Sequence, residues 1–80
     1  MNNNKSITQK LAEAVRFHRK KSGLNQQELA QLAGVGKTVV FDLEHGKETI
    51  QFDSLLKILH VLNIQLGWSS RLQQMEGENK

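Results

Sequence analysis

The sequence predicts an all-α fold of four to five short helices, with a short β-strand after the last of them. Three observations lead there. The run from Gln26 to His45, QQELAQLAGVGKTVVFDLEH, places apolar, small and turn residues where two short helices meet across a tight turn. Apolar residues recur at three- and four-residue spacing on either side of that run, over 7–18 and 52–62. Beyond residue 63 the period changes to two, as Ile64, Leu66 and Trp68 alternate with Gln65, Gly67 and Ser69.

Residues 1–5 are polar and are read as a disordered N-terminus. Helix one is expected to start near Ser6 or Thr8 and to bury Ile7, Leu11, Ala14, Val15 and His18 as one stripe. His18 is the odd member, either a packing histidine or in principle a proton switch. Arg16, Arg19, Lys20 and Lys21 gather positive charge at the end of this helix, where cations complement the helix dipole or meet an anionic partner. Helix two begins at Gln26, because Asn25 and Glu28 have the spacing of a capping box. Leu29, Ala33, Val35, Val40 and Leu43 supply the buried positions of the crossing pair. Ala30 falls at its closest approach, and Gly34 at the turn, where a positive φ favours glycine. Gly36 or Lys37 opens helix three, which is expected to run to about His45 and to stop at Gly46.

Lys47 to Gln51 read as a loop, and Phe52 opens helix four, with Phe52, Leu55, Leu56, Leu59 and Leu62 facing the core. Ile58 and Val61 fall on a neighbouring face, and this extra apolar surface calls for cover by a second subunit. Asn63 tolerates the left-handed conformation that ends a helix. A lone strand at 64–70 has no partner elsewhere in the chain, so Ile64, Leu66 and Trp68 are expected to pair across a twofold axis. The other reading of 64–70 is a loop with a packed Trp68. Residues 71–80 are polar and are read as a flexible tail. The expected organisation is 1–5 N-terminus, 6–63 helical domain, 64–70 dimerisation strand and 71–80 tail.

Composition sets bounds on function. Eighty residues suit one small domain that profits from a second subunit, so a homodimer is expected. The chain has no cysteine, which excludes disulfides and thiolate metal sites and suits a reducing cytoplasm. No stretch is apolar enough to span a bilayer, and MNNNKS lacks the core of a signal peptide, so a cytoplasmic protein without a membrane partner is expected. The net charge of +3 is mild for a nucleic-acid binder, and its uneven placement matters more than its size. With histidines only at 18, 45 and 60, and no HExxH, phosphate-binding glycine loop or Gly-x-Ser-x-Gly, the sequence does not read as an enzyme, and no cofactor or metal is implied.

Residues about 9 to 63 resemble the lambda-repressor-like (Xre-type) helix-turn-helix family. The resemblance rests on Leu11, Val15, Arg16 and Arg19, then Gly23-Leu24, the Asn25-Gln26 start of helix two, and the small and apolar positions through His45. It implies that helix three enters the major groove of double-stranded DNA. Carried over by position, Lys37 and Thr38 meet base edges, with Gly36 just before them and Phe41 one turn later. Lys37 can donate to guanine O6 and N7 or to a phosphate; Thr38 can hydrogen bond or offer its methyl to thymine. Phe41 departs from the small or polar residue often found there, and it either meets thymine or packs on protein. Asp42 shares the exposed face and has no assigned role. Gln26, at the first turn of helix two, is placed for phosphate, as are His45 and Lys47 on the other side. For Lys47 a solvated loop charge is the alternative. Arg19 and Glu44 resemble the family's buried salt bridge and are read as structural. A twofold dimer would present its recognition helices about 34 Å apart, which implies an inverted-repeat operator.

The stretch TIQFDSLLKILHVLNIQLGW resembles the end of HipB-type antitoxins, whose dimers join through a small intermolecular sheet and which partner a HipA-type kinase toxin. The implied function is a repressor that binds the operator of its own operon and neutralises the toxin, with Trp68 and the tail as candidate toxin contacts. The alternatives are a stand-alone Xre-type regulator and a helix-turn-helix domain that binds only protein.

Overall fold

The computed structural model describes residues 5–67, in which four helices follow one another: α1 (Ile7–Lys21), α2 (Gln26–Ala33), α3 (Lys37–Glu44) and α4 (Phe52–Val61). Local chemistry fixes the first two starts. Glu28 N–H donates to Asn25 Oδ1 and Asn25 N–H to Glu28 Oε1, both at 2.8 Å, so α2 opens with the expected capping box. α1 opens the same way, with Gln9 N–H on Ser6 Oγ at 3.2 Å and Ser6 N–H on Gln9 Oε1 at 3.1 Å. By contrast, Gly36 and Gln51 precede α3 and α4 without a side-chain cap.

All four helices end alike. A left-handed residue follows each one, at Gly23, Gly34, Gly46 and Asn63, with φ of 74°, 73°, 77° and 58°. The next N–H then reaches five residues back: Leu24 to Arg19 O, Val35 to Ala30 O, Lys47 to Asp42 O and Ile64 to Leu59 O, at 2.9–3.2 Å. This closure satisfies carbonyls that a helix end would orphan and turns the chain sharply after each short helix.

α3 is the hub of the packing, set against α1, α2 and α4, while α2 also packs on α4. The core is formed by Val15, Leu29, Ala30, Val40, Leu43, Ile58, Leu59 and Leu62, flanked by partly buried Leu11, Leu24, Ala33, Val35, Val39, Ile50, Leu55, Val61 and Ile64. Burying a Val, Leu or Ile side chain fully contributes roughly 1.5–3 kcal/mol, so this cluster dominates the driving force for folding.

Two sequence expectations are corrected here. On α1 the buried arc is centred on Val15 with Ala12 beside it, whereas Ile7 is 78% exposed and His18 is exposed. The partly buried Arg19, paired with Glu44, lies on the side of the helix that faces inward, and His18 instead sends Nδ1 to Ala14 O at 2.8 Å. On α4 the expected faces are exchanged. Ile58 lies wholly inside the chain's own core, so it cannot belong to a surface that a second subunit covers. Phe52 and Leu56, expected in the core, are 66% and 42% exposed, and Val61 is partly buried against the core. Ile64–Gly67 form neither helix nor strand in the single chain. The rest of the expected strand, Trp68 included, lies outside the described residues, as do 1–4 and the tail at 71–80.

Candidate nucleic-acid interface

A buried ionic network fixes α3 relative to α1 and α2. Glu44, at the end of α3, is 2% exposed and binds Arg19 through two bonds, Nε to Oε2 at 2.6 Å and Nη2 to Oε1 at 2.9 Å. Gln26 Nε2 donates to the same carboxylate at 3.1 Å. The remaining Arg19 donor, Nη1, reaches Leu24 O at 2.9 Å, and Arg16 Nη2 reaches Glu44 O at 2.8 Å. Among the described residues no buried side-chain polar atom is left without a partner. Burial pushes the Glu44 carboxyl upward, yet the Arg19 and Gln26 hydrogen bonds and the charges of Arg19 and Arg16 outweigh it and hold it below the ordinary carboxylate range. The hydrogen bond to Glu44 likewise raises Arg19, against the opposing effect of burial.

This network aims the outer face of α3. Gly36, Lys37 and Thr38 are exposed at its first turn, and Phe41 is 47% exposed one turn on. An open depression between helices is lined by Arg19, Asn25, Gln26, Gln27 and Lys37, and a second by Lys37, Thr38 and Phe41. Lys37 therefore joins the α2 N-terminus to the α3 face, bringing Gln26, Lys37, Thr38 and Phe41 onto one surface. Gln26 is half-buried, with one amide proton committed to Glu44 and the rest of its amide free to meet an external acceptor. Asn25, Gln26 and Gln27, at the start of α2, line the same depression, and a helix start is where backbone N–H groups favour an anion such as phosphate.

The C-terminal half of the face is differently built. His45 stacks on Phe41 with ring centroids 4.0 Å apart and planes 27° from parallel, and His45 Nδ1 meets Phe41 O at 2.7 Å. Phe41 thus packs on protein through one face while the remainder stays in solvent. Lys47 Nζ lies 3.4 Å from Asp42 Oδ2 with half of its side chain exposed, an open pair worth at most about 1 kcal/mol and readily exchanged for another anion. Sequence reasoning grouped Arg16 with the basic end of α1 and gave Asn25 a capping role, but it did not anticipate the Arg16 bond to the end of α3, 28 residues away, nor Asn25 and Gln27 beside the first depression. Among the described residues no His, Cys, Asp and Glu cluster could hold a metal ion, and no helix is long and apolar enough to cross a membrane.

Residues 15–69 match the helix-turn-helix family. Over 52 residues the chain is 44% identical to an uncharacterised HTH-type transcriptional regulator, y4mF, of Sinorhizobium fredii, an alignment covering 65% of this chain and 68% of that protein. Among solved structures, a chain of the HipA-HipB-O2-O3 complex superposes with a TM-score of 0.72 at 22% identity, covering 89% of this chain and 99% of that one. A chain of the HipB-O4 20mer complex gives the same TM-score at 21% identity, with 88% and 99% covered. At such identities the likeness establishes a shared fold.

Proposed function

Because this chain belongs to the Xre-type helix-turn-helix family of transcriptional regulators, we propose that it is a sequence-specific DNA-binding repressor. α3 enters the major groove with Lys37, Thr38 and Phe41 toward base edges and Gly36 allowing close approach. Gln26, His45 and Lys47 hold the flanking phosphates. The observation that carries this reading is the surface joined through Lys37, where the exposed first turn of α3 and the N-terminus of α2 present donors side by side. Residues 6–63 form the DNA-binding unit and 64–70 the dimerisation strand, with Val61, Ile64, Leu66 and Trp68 at the subunit contact and Phe52 and Leu56 supplying the exposed α4 surface. The homodimer reads an inverted repeat in the cytoplasm.

Within that role the chain acts as the antitoxin of a HipBA-type system, binding and neutralising a HipA-like kinase toxin and repressing its own operon with it. The support is a fold shared with nearly the whole of a chain from the HipA-HipB-O2-O3 complex. A stand-alone regulator is the second reading, favoured by the likeness to y4mF. A neighbouring kinase gene whose product co-purifies with this chain supports the antitoxin; a lone gene supports the stand-alone regulator. DNA binding itself is tested by fluorescence anisotropy on the duplex upstream of the gene, at two salt concentrations, against a shuffled duplex. Tight, selective and steeply salt-dependent binding is expected. Equal weak binding to both duplexes would favour the domain that binds only protein.

A further inference from the structure

We propose that Phe41 reads the C5-methyl group of thymine, with His45 as the residue that positions it; this rests on the DNA-binding reading above. Three features converge on that assignment. His45 covers one face of the Phe41 ring at 4.0 Å and is itself tied to the backbone of Phe41 at 2.7 Å, so the ring is held rather than free to turn. The residue nevertheless remains 47% exposed. Its exposed part lines a depression with Lys37 and Thr38.

The chemistry of that depression matches one base edge. Phe41, Lys37 and Thr38 line it, and a ring, an aliphatic stem and a methyl carbon are the apolar surface these residue types offer to a methyl group. Beside it stand the Lys37 ammonium and the Thr38 hydroxyl, both able to donate. In the major groove thymine alone places a methyl next to an acceptor, its O4. Cytosine offers a donor there and lacks the methyl, and adenine likewise presents a donor beside its N7. His45 supports the ring with one face and its Nδ1, which leaves Nε2 for the phosphate contact proposed above.

The test separates methyl from acceptor. Within the upstream segment that the protein protects from cleavage, each thymine is replaced in turn by deoxyuridine, which removes only the methyl. At the responding position cytosine and 5-methylcytosine are then compared. Anisotropy titrations are run with the wild-type chain and with Phe41→Ala, Phe41→Leu and His45→Ala, each checked by circular dichroism for an unchanged helical spectrum. One thymine per half-site should lose about four-fold in affinity on conversion to deoxyuridine, the effect of one buried methyl. 5-Methylcytosine should exceed cytosine there by a similar factor. Both differences should vanish in Phe41→Ala and shrink in His45→Ala, with Phe41→Leu between. Methyl discrimination that persists in Phe41→Ala, or its absence at every thymine while selective binding to the upstream duplex stands, would overturn the assignment and leave the repressor reading intact. Failure to distinguish upstream from shuffled DNA would overturn both.

Discussion

Removing Arg19 should cost this domain more than removing Arg19 and Glu44 together. The Glu44 carboxylate is 2% exposed and takes two of its three side-chain hydrogen bonds from Arg19, leaving only Gln26 in Arg19→Met. An uncompensated charge of that kind costs about 3–5 kcal/mol. Small domains have stabilities near the lower end of the usual 5–15 kcal/mol, so the single variant should sit close to its unfolding threshold. In Arg19→Met with Glu44→Leu no charge is left buried. The remaining losses are the partners of Leu24 O and Gln26 Nε2, and apolar packing partly offsets them. The double variant should therefore recover at least about 2 kcal/mol relative to Arg19→Met. Urea unfolding followed by far-ultraviolet circular dichroism at pH 7 measures the cycle. Single losses that simply add in the double variant would refute the reasoning. Acid gives an independent reading. Since the folded Glu44 carboxyl is held below the ordinary range, its contribution is complete above the unfolded value of about 4.3 and is lost as pH falls through the lower folded value. Glu44→Gln should be less stable than wild type at neutral pH yet lose less on acidification through that window.

Three further outcomes follow from named positions. Lys37→Gln should weaken operator binding and, if its ammonium meets a phosphate, reduce the slope of log K against log salt by about one, with the urea midpoint unchanged. Gly34→Ala has room for the added carbon but not for the φ of +73°, so it should lose about 1–2 kcal/mol in urea unfolding, and an unchanged midpoint would count against the turn assignment. Gln51→Ser supplies the side-chain acceptor that the start of α4 lacks and should raise stability by roughly 0.5–1 kcal/mol; no gain would mean that water already serves those N–H groups.

What could be read from the sequence was local. Asn25 with Glu28, Gly34, Gly46 and Asn63 each act within a few residues, and each has the expected conformation. The first turn of α3 was legible for the same reason, because Gly36 at the cap places Lys37 and Thr38 outward at once. Which side of α4 enters the core was not local. Phe52, Leu56 and Ile58 all fit helical spacing, and the choice is made by contacts with α2 and α3, which seat Ile58 and leave Phe52 and Leu56 outside. α1 was misread for a related reason: periodicity counts apolar residues, and the side of α1 that turns inward carries Arg19, a cation matched by a carboxylate 25 residues away. Phe41 was ambiguous until its neighbour was seen. The stack with His45 has the two rings at one-turn spacing together with an imidazole bond to the Phe41 carbonyl, which spacing alone does not imply.

The central claim is that the face shared by α3 and the start of α2 meets DNA. Amide and methyl NMR spectra of the isotope-labelled chain, titrated with the upstream duplex and with a shuffled one, test it most directly. The account predicts that the upstream duplex shifts Gln26, Gly36, Lys37, Thr38, Phe41, His45 and Lys47 while the buried Val15, Leu29 and Ile58 stay near their free positions. Shifts confined to the outer faces of α1 or α4, with Lys37 and Thr38 unmoved, would contradict it.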